Sequence, residues 1–410
     1  MRHARPLALI ALVLACLAAP HSSRASRGDR APAYRRCVSQ CLDTLCSTDT
    51  RAQVHDGDGA AGKGTTTRWE EEGRTLALRL TRWTCDAECS YQCAQSLTEL
   101  SLELGTDSSL SAAQRTALTA RGRGGALDGL RLGHVEQFHG KWPFVRLLGM
   151  QEPVSVLASL INLGTHARGI SSLFRSRLSD SVATQTLRRA YMIAGLVACN
   201  AWVWSAVFHT RDTRLTESLD YFSASASTLA GLYLALIRTF SLYINASVHA
   251  KGTALLRKTI VAALSTAFIA HCSYLSLASR FDYGYNMQAN MMCALAQVAL
   301  WLICSLRGAL IGTTFAPSTP IAGARRKQRD WRAMHAVPAL LLLLCAALEL
   351  GDFPPWPVHS WRLVDAHALW HFATVPVAMI WYDALRRDLK FVEARSEAKA
   401  LDRANGKRES

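Results

Sequence analysis

Two short motifs place polar side chains at the ends of apolar segments, where such groups are costly. Ser205 lies four residues before His209, and His367 lies four residues before His371. Residues four apart share a helix face, so these groups and Asp220 could converge from two helices and a helix start. Three neutral imidazoles that leave one coordination position open are typical of catalytic zinc. The pattern therefore indicates a metal-dependent hydrolase built inside a membrane.

The apolar residues are concentrated in blocks that are long enough to cross a bilayer. They make up 50% of the 410 residues, and each crossing needs about 20 residues. We predict an all-α membrane protein, a bundle of seven transmembrane helices. The predicted crossings run approximately over residues 147–163, 190–208, 221–237, 260–277, 287–306, 334–350 and 364–382.

Residues 1–25 have the layout of a cleaved signal peptide. Arg2 and Arg5 precede an apolar stretch over 7–19, and small residues follow it. The mature amino terminus is therefore expected in the lumen and, after seven crossings, the carboxyl terminus in the cytosol. Basic residues are concentrated in the loops that this topology places in the cytosol, as the positive-inside rule requires. We interpret the net charge of +15 as a topology signal and expect no nucleic-acid partner.

Two cysteine triplets lie between the signal peptide and the first crossing. They consist of Cys37, Cys41 and Cys46, and of Cys85, Cys89 and Cys93. Six cysteines in an oxidising lumen predict three disulfides, and 15 pairings are possible. A zinc site is disfavoured, because no histidine lies within either triplet. We expect a small disulfide-rich lumenal domain over 26–139, a membrane domain over 140–388 and a cytosolic tail over 389–410.

The predicted topology places all five candidate site residues in one leaflet of the membrane. Three of them have simpler interpretations when each is taken alone, and for His209 it is that of an interfacial polar residue. Asp220 could cap the third transmembrane helix, where a carboxylate stabilises the exposed amides. Ser205 could bond to the preceding helical turn or serve as a small packing residue. The combination of the five groups carries the zinc-hydrolase hypothesis.

Several longer stretches carry a more specific signal. They are Gly140-Lys-Trp-Pro-Phe144, Gln151-Glu-Pro153, the segment 200–212, the segment 215–222, Phe281-Asp-Tyr-Gly-Tyr-Asn286, the segment 348–355 and the segment 365–371. In these stretches the chain resembles the post-GPI-attachment-to-proteins factor 3 family, where GPI is glycosylphosphatidylinositol. The resemblance covers about residues 140–388 and the cysteine-bearing segment.

The resemblance implies membership of a superfamily of seven-span membrane hydrolases that includes alkaline ceramidases and adiponectin receptors. It implies that His209, His367 and His371 bind zinc, and that Asp220 orients or deprotonates a water. Ser205 is expected to hydrogen-bond that water or the substrate carbonyl. The implied activity removes the sn-2 acyl chain from the inositol phospholipid of GPI-anchored proteins, in the membrane of the endoplasmic reticulum or the Golgi apparatus.

Two other functions stay open at this point. A ceramidase-like lipid amidase would use the same site on a different lipid. A non-catalytic receptor or cargo factor would keep the fold without needing a bound metal. Lys407-Arg-Glu-Ser410 resembles a basic retrieval signal of the early secretory pathway, but arginine replaces the usual second lysine, and a solvated charged tail is the more general interpretation of such residues. Both compartments stay open.

The topology makes a prediction about the sequon Asn245-Ala-Ser247. It falls in the cytosolic loop after the third crossing, whereas the glycosylating transferase is lumenal, so Asn245 is expected to carry no glycan. Glycosidase treatment and mass spectrometry of the protein from eukaryotic cells would check this. A glycan on Asn245 would overturn either the number of crossings or their orientation.

Overall fold

The computed structural model describes residues 26–47, 69, 75–244, 250–311 and 334–406. The predicted signal peptide at 1–25, the sequon at Asn245 and residues 407–410 lie outside these ranges. The described residues form helices and connecting loops, with isolated β-bridges and no β-strand among them.

Short helices make up the amino-terminal part, and longer ones follow. The first group is α1 (Arg27–Arg30), α2 (Pro32–Cys41), a π-helix (Leu42–Cys46), α3 (Leu76–Leu80), α4 (Cys85–Thr106) and α5 (Ala112–Thr119). The second group is α6 (Pro153–Arg175), α7 (Val182–Thr210), α8 (Arg214–Thr239), α9 (Ala250–Leu277), α10 (Tyr283–Ile311), α11 (Ala336–Gly351) and α12 (Ala366–Gly406).

Six of the longer helices pack into a ring. The order of neighbours is α6, α7, α8, α10, α11 and α12, and α12 packs back onto α6, while α9 packs against α8. Aliphatic and aromatic side chains such as Leu187, Leu232 and Leu385 fill the core. Helix α12 continues through the predicted domain boundary at residue 388, so the backbone has no break there.

Three described helices are long and apolar enough to cross a membrane. They correspond to Val182–Thr210, Gly252–Leu277 and Tyr283–Leu306, and α11 is a shorter apolar helix of 16 residues. Helices α6, α8 and α12 fall short of that apolar content because they carry more polar side chains. Several of those side chains, including Ser159, Asn162 and Asp388, are fully buried in the ring.

The first predicted crossing started too early. Residues 147–150 form a tight turn closed by two backbone hydrogen bonds, and helix α6 begins only at Pro153. Proline suits the first turn of a helix, because its missing N–H would have no intrahelical partner there. The Glu152 amide donates to the His209 carbonyl at 3.0 Å, which places the start of α6 beside the end of α7.

Helix α8 also begins before the predicted crossing at residue 221. Thr213 caps it, and the Thr213 side chain accepts a hydrogen bond from the amide of Thr216. Asp220 therefore lies inside the helix, and the interpretation of Asp220 as the helix cap is wrong. Its carboxylate is left for another role.

The six amino-terminal cysteines form three disulfides, as predicted. The pairs are Cys37–Cys93, Cys41–Cys89 and Cys46–Cys85. The order is nested, because α2 and its π-helical extension lie antiparallel to α4. Cys46 follows Cys41 by five residues, and in an α-helix this spacing would turn Cys46 away from α4. The wider turn of the π-helix keeps Cys46 on the side that faces α4.

The disulfide-bonded helices pack on the end of the helix ring where α6 and α12 begin. Arg362 is almost fully buried there, and its Nε donates to the Pro143 carbonyl at 3.0 Å. The same guanidinium also bonds to Gln95 on α4. The Trp83 indole donates to the Gly149 carbonyl at 2.9 Å. Polar contacts thus tie the disulfide-bonded helices to the loops that precede α6 and α12.

A buried ion pair ties α8 to α12 at the opposite end of the ring. Both oxygens of Asp388 accept hydrogen bonds from Arg238 at 2.7 Å, and Tyr191 donates to one of them at 2.7 Å. The charges are mutually satisfied, which a buried pair requires in order not to be destabilising.

The disulfide pairing predicts a specific pattern of mutational effects. Cys41→Ser and Cys89→Ser should each lower the free energy of unfolding by about 2–5 kcal/mol, and the double variant should lower it no further. Cys272→Ser, in α9, should have a much smaller effect. Thermal denaturation of the purified variants measures this, and an additive double variant would contradict the pairing.

Candidate metal centre

Three histidine side chains converge at the end of the ring on which the disulfide-rich domain lies. The Nε2 atoms of His209 and His367 are 3.3 Å apart, and those of His367 and His371 are 2.9 Å apart. His209 comes from the last turn of α7, and the other two from the first turns of α12. His209 and His371 are buried, and His367 is partly exposed.

The outer nitrogens of two of these imidazoles face carboxylates. His209 Nδ1 lies 2.7 Å from Glu152 Oε2, and His367 Nδ1 lies 2.6 Å from Glu349 Oε2. An ionised carboxylate only accepts hydrogen bonds, so each Nδ1 must carry a proton and donate it. In a neutral imidazole with its proton on Nδ1, Nε2 has no proton and carries a free lone pair.

The third imidazole reaches the same tautomer through a serine. Ser159 Oγ donates its one proton to the Ser155 carbonyl at 2.8 Å. It must therefore accept from His371 Nδ1, which lies 3.1 Å away. Nε2 of His371 then also carries a free lone pair. We assign all three tautomers from these partners.

Three lone pairs directed at one another repel, and a cation between them would remove the repulsion. Zinc–nitrogen distances of about 2.0–2.1 Å in a tetrahedral site separate neighbouring donors by roughly 3.3 Å. The two Nε2 separations, 3.3 and 2.9 Å, are close to that value. The donor set thus fits zinc with one position left for a further ligand. The sulfurs of Cys46, Cys85 and Cys89 also cluster, but disulfide bonds occupy them.

Ser205 is buried beside the histidines, on the same face of α7 as His209. Its Oγ lies 3.0 Å from Ser159 Oγ. Because the Ser159 proton is already donated to a carbonyl, Ser205 is the donor in this contact. Ser205 is therefore linked to His371 through Ser159, and its remaining lone pairs face away from that bond.

Asp220 lies on α8, facing the same cluster. Its carboxylate is within electrostatic reach of His209, His367 and Lys141. Among the described residues, no side chain or amide hydrogen-bonds to this carboxylate. A carboxylate without a hydrogen-bond partner near two of the imidazoles is well placed to accept a proton from a water.

Four groups around the histidines had no role assigned by sequence reasoning: Lys141, Glu152, Ser159 and Glu349. Glu349 stands in an otherwise apolar run, and an ionisable residue at such a position is a functional candidate by default, so this signal was present. Ser159 gave no signal, because a serine within an apolar helix is usually a packing residue.

Lys141 extends the charge network away from the three histidines. Its Nζ lies 2.6 Å from Glu152 Oε1 and 3.3 Å from Asp212 Oδ2, and it sits 3.8 Å from the centre of the Phe208 ring. Burial by itself would lower the pKa of Lys141, but the two carboxylates outweigh burial and raise the pKa above its ordinary value. Lys141 therefore stays charged and keeps Glu152 ionised.

Comparison with known proteins gives a consistent family. The sequence model of the Per1-like family matches residues 75–389. The GPI-specific phospholipase A2-like PGAP3 of Xenopus laevis is 35% identical, over 89% of this chain and 90% of the relative. Its Homo sapiens counterpart is 35% identical, over 91% and 92%. The PER1 homolog of Schizosaccharomyces pombe is 34% identical, over 90% and 88%. No solved structure matches.

The hydrogen bond between Ser159 and His371 can be tested by a matched pair of variants. Ser159→Ala leaves a buried Nδ1–H without an acceptor, so the free energy of unfolding should fall by about 1–3 kcal/mol. Ser155→Ala, one turn earlier on α6, should change it little, because the Ser155 hydroxyl has no partner. Thermal unfolding in lipid nanodiscs measures both, and equal effects would contradict the tautomer assignment.

Proposed function

Because this chain belongs to the Per1-like family, we propose that it is a zinc-dependent membrane hydrolase that remodels GPI anchors. The reaction is hydrolysis of the sn-2 acyl ester in the inositol phospholipid of GPI-anchored proteins. The names of the relatives support a role in GPI-lipid chemistry. The observation that carries the hydrolase proposal is the convergence of three Nε2 lone pairs, each held by a partner on its Nδ1 atom.

The proposal includes the topology. Helices α6 to α12 are the seven crossings, with the disulfide-rich domain over 26–139 in the lumen and the tail over 389–410 in the cytosol. The membrane domain over 140–388 then opens its histidine site toward the lumen, where a GPI-anchored protein is attached to its lipid. The membrane is that of the endoplasmic reticulum or the Golgi apparatus, and residues 1–25 are the signal peptide. Three apolar helices and the disulfides support this arrangement.

In the proposed reaction the histidines bind the metal and Asp220 transfers the proton. His209, His367 and His371 would hold zinc, which supplies Lewis acidity toward the ester carbonyl and a water when it is bound. Asp220 takes the proton as the water oxygen bonds to the carbonyl carbon. The ester C–O bond then breaks, the fatty acid is released, and Asp220 returns its proton to the departing glycerol oxygen.

The surrounding groups keep that constellation in place. Glu152 and Glu349 hold the Nδ1 protons of His209 and His367, which fixes the orientation of both rings. Ser205 gives its proton to Ser159 and keeps its lone pairs available to orient the water. The helix ends lie at the depth of the interface, so an acyl chain can stay among apolar side chains while the glycan remains in water.

Variants of the site residues should fail in separable ways. His367→Ala removes a ligand and should abolish both zinc binding and acyl removal. Asp220→Asn cannot accept the proton and should lose activity while keeping much of the zinc. Ser205→Ala removes an acceptor that orients the water and should lower the rate less than either of the other two changes, because it removes neither a ligand nor the base.

Zinc content of the purified protein and the lipid of anchored proteins, in cells that lack the endogenous enzyme, report these effects. Full remodelling by the His367→Ala variant at normal expression would refute the zinc hydrolase and favour a receptor or cargo factor. Release of fatty acid from ceramide but not from GPI lipid would favour the amidase.

The two glutamates provide a further test that does not depend on turnover. Glu349→Gln and Glu152→Gln remove the charge that orients each histidine, so zinc affinity should fall by about 10–100-fold. Glu103→Gln, at an exposed position on α4, is the matched control and should leave affinity unchanged. Competition with a chelator of known affinity measures the three variants. Wild-type affinity in both site variants would show that the carboxylates do not hold the ligands.

A further inference from the structure

We propose that four leucines on the disulfide-rich side of the protein insert into the lipid leaflet at the histidine end of the helix ring. These residues are called the leucine patch: Leu76 and Leu80 of α3, and Leu147 and Leu148 of the turn before α6. Their side chains are 72%, 75%, 53% and 74% exposed. The proposed partner is the surface of the membrane that the ring itself crosses.

The exposure of Leu76 and Leu80 is unusual for the domain that carries them. Among the described residues of 26–139, Leu76 and Leu80 are the two large hydrophobic residues that are exposed. Four residues apart on a short helix, they face the same side. Leu78, between them in sequence, points the other way and is buried with Trp69 and Trp83. Helix α3 therefore has one face in a small core and a second apolar face that no described residue covers.

The two parts of the leucine patch lie next to each other. A Cβ on Gly149 would lie only 2.6 Å from Thr81 Oγ1 and 2.9 Å from the Ala77 carbonyl. Gly149 is thus packed against the end of α3, and its own carbonyl accepts the Trp83 indole proton. Its positive φ of 79° suits a glycine as well. This close approach places the turn that carries Leu147 and Leu148 against the carboxyl end of α3.

The position of the turn sets the depth of the leucine patch. The Gln151 amide donates to the Thr210 carbonyl at 3.0 Å, and Thr210 is the last residue of α7. Helix α7 is one of the three described helices that can cross a membrane. The leucine patch therefore lies level with the end of a membrane-crossing helix, where the hydrocarbon region gives way to head groups.

Leu148 lies at the tip of the turn, where leucine is an unusual residue. It adopts a positive φ of 52° at the tip of the turn, a conformation that asparagine and glycine adopt more readily than leucine. A leucine in water at this position is unfavourable both in backbone conformation and in exposure. Contact with lipid removes the second penalty.

The polar residues around the leucine patch fit a phospholipid surface better than a protein partner. Arg79 and Arg82 are exposed beside the two leucines of α3. Leucines that enter the acyl region, flanked by arginines at the level of the phosphates, are the pattern of an interfacial amphipathic segment. The leucine patch would hold the disulfide-rich domain down on the membrane, beside the opening of the histidine site.

Photocrosslinking tests this directly in the full-length protein. The residue p-benzoylphenylalanine replaces Leu80, Leu148 or, as a matched control, Ala113 on the exposed surface of α5. The protein is irradiated in microsomes from cells fed an alkyne-tagged fatty acid, and labelled lipid on the purified protein is then measured. The first two positions should yield at least about tenfold more lipid adduct than Ala113.

The outcomes distinguish the leucine patch from the proposed catalysis. Equal lipid labelling at Leu80 and Ala113, or adducts with a second protein at Leu80 and Leu148, would overturn the proposal. A parallel set carrying His367→Ala should give the same lipid labelling, because the leucine patch does not depend on the metal centre. Failure of the hydrolase proposal would therefore leave this result unchanged.

Discussion

The Nε2 atoms of His209, His367 and His371 converge, with separations of 3.3 Å between the first two and 2.9 Å between the last two. Neutral rings that keep their protons on Nδ1 would direct three lone pairs toward one another, and a cation would remove their repulsion. Each ring is prevented from turning away by a partner on its outer nitrogen: a glutamate for two rings and a serine for the third. Those partners come from the start of α6 and the end of α11. The arrangement therefore requires the first turns of α6 and α12 and the last turns of α7 and α11 to lie at the same level.

The remainder of the helix ring explains how those ends are aligned. At the far end, Arg238 and Asp388 neutralise each other and bind α8 to α12. Asp388 lies 17 positions after His371, so this pair is about 25 Å along α12 from the site at 1.5 Å per residue. Polar pairs at both ends and an apolar core between them fix the register of the helices. Packed apolar side chains alone would tolerate sliding more easily.

The disulfide-rich domain contributes to the site through contacts with its loops. Arg362, which precedes α12 by four positions, is buried against Pro143 and Gln95, so the start of α12 is anchored to that domain. Lys141 lies in the loop before α6, two residues from Pro143, and it keeps Glu152 ionised beside His209. Three disulfides make the domain rigid enough to serve as a support. A helix end without such support would fray, and the three histidines lie in terminal turns of α7 and α12.

The sequence by itself determined the helical class, the presence of disulfides and the family, and it identified the five candidate groups. These features follow from local patterns: apolar blocks, cysteine number, and pairs spaced four apart. Local patterns did not determine where α6 and α8 begin, because the apolar run at residue 147 is a turn and the cap of α8 is Thr213. Both outcomes depend on backbone partners and on capping side chains that hydropathy does not register.

Only the tertiary structure decided the disulfide pairing, the tautomers of the histidines and the roles of Ser159, Glu152 and Glu349. Fifteen pairings were compatible with six cysteines, and the antiparallel packing of α2 on α4 selected one. A histidine in a sequence has two possible tautomers, and the choice depends on which group lies beside Nδ1. Glu349 and Ser159 are distant from His367 and His371 along the chain, so no spacing rule could join them. The physical reason is that long-range contacts arise from helix packing, which brings together residues that the chain order keeps apart.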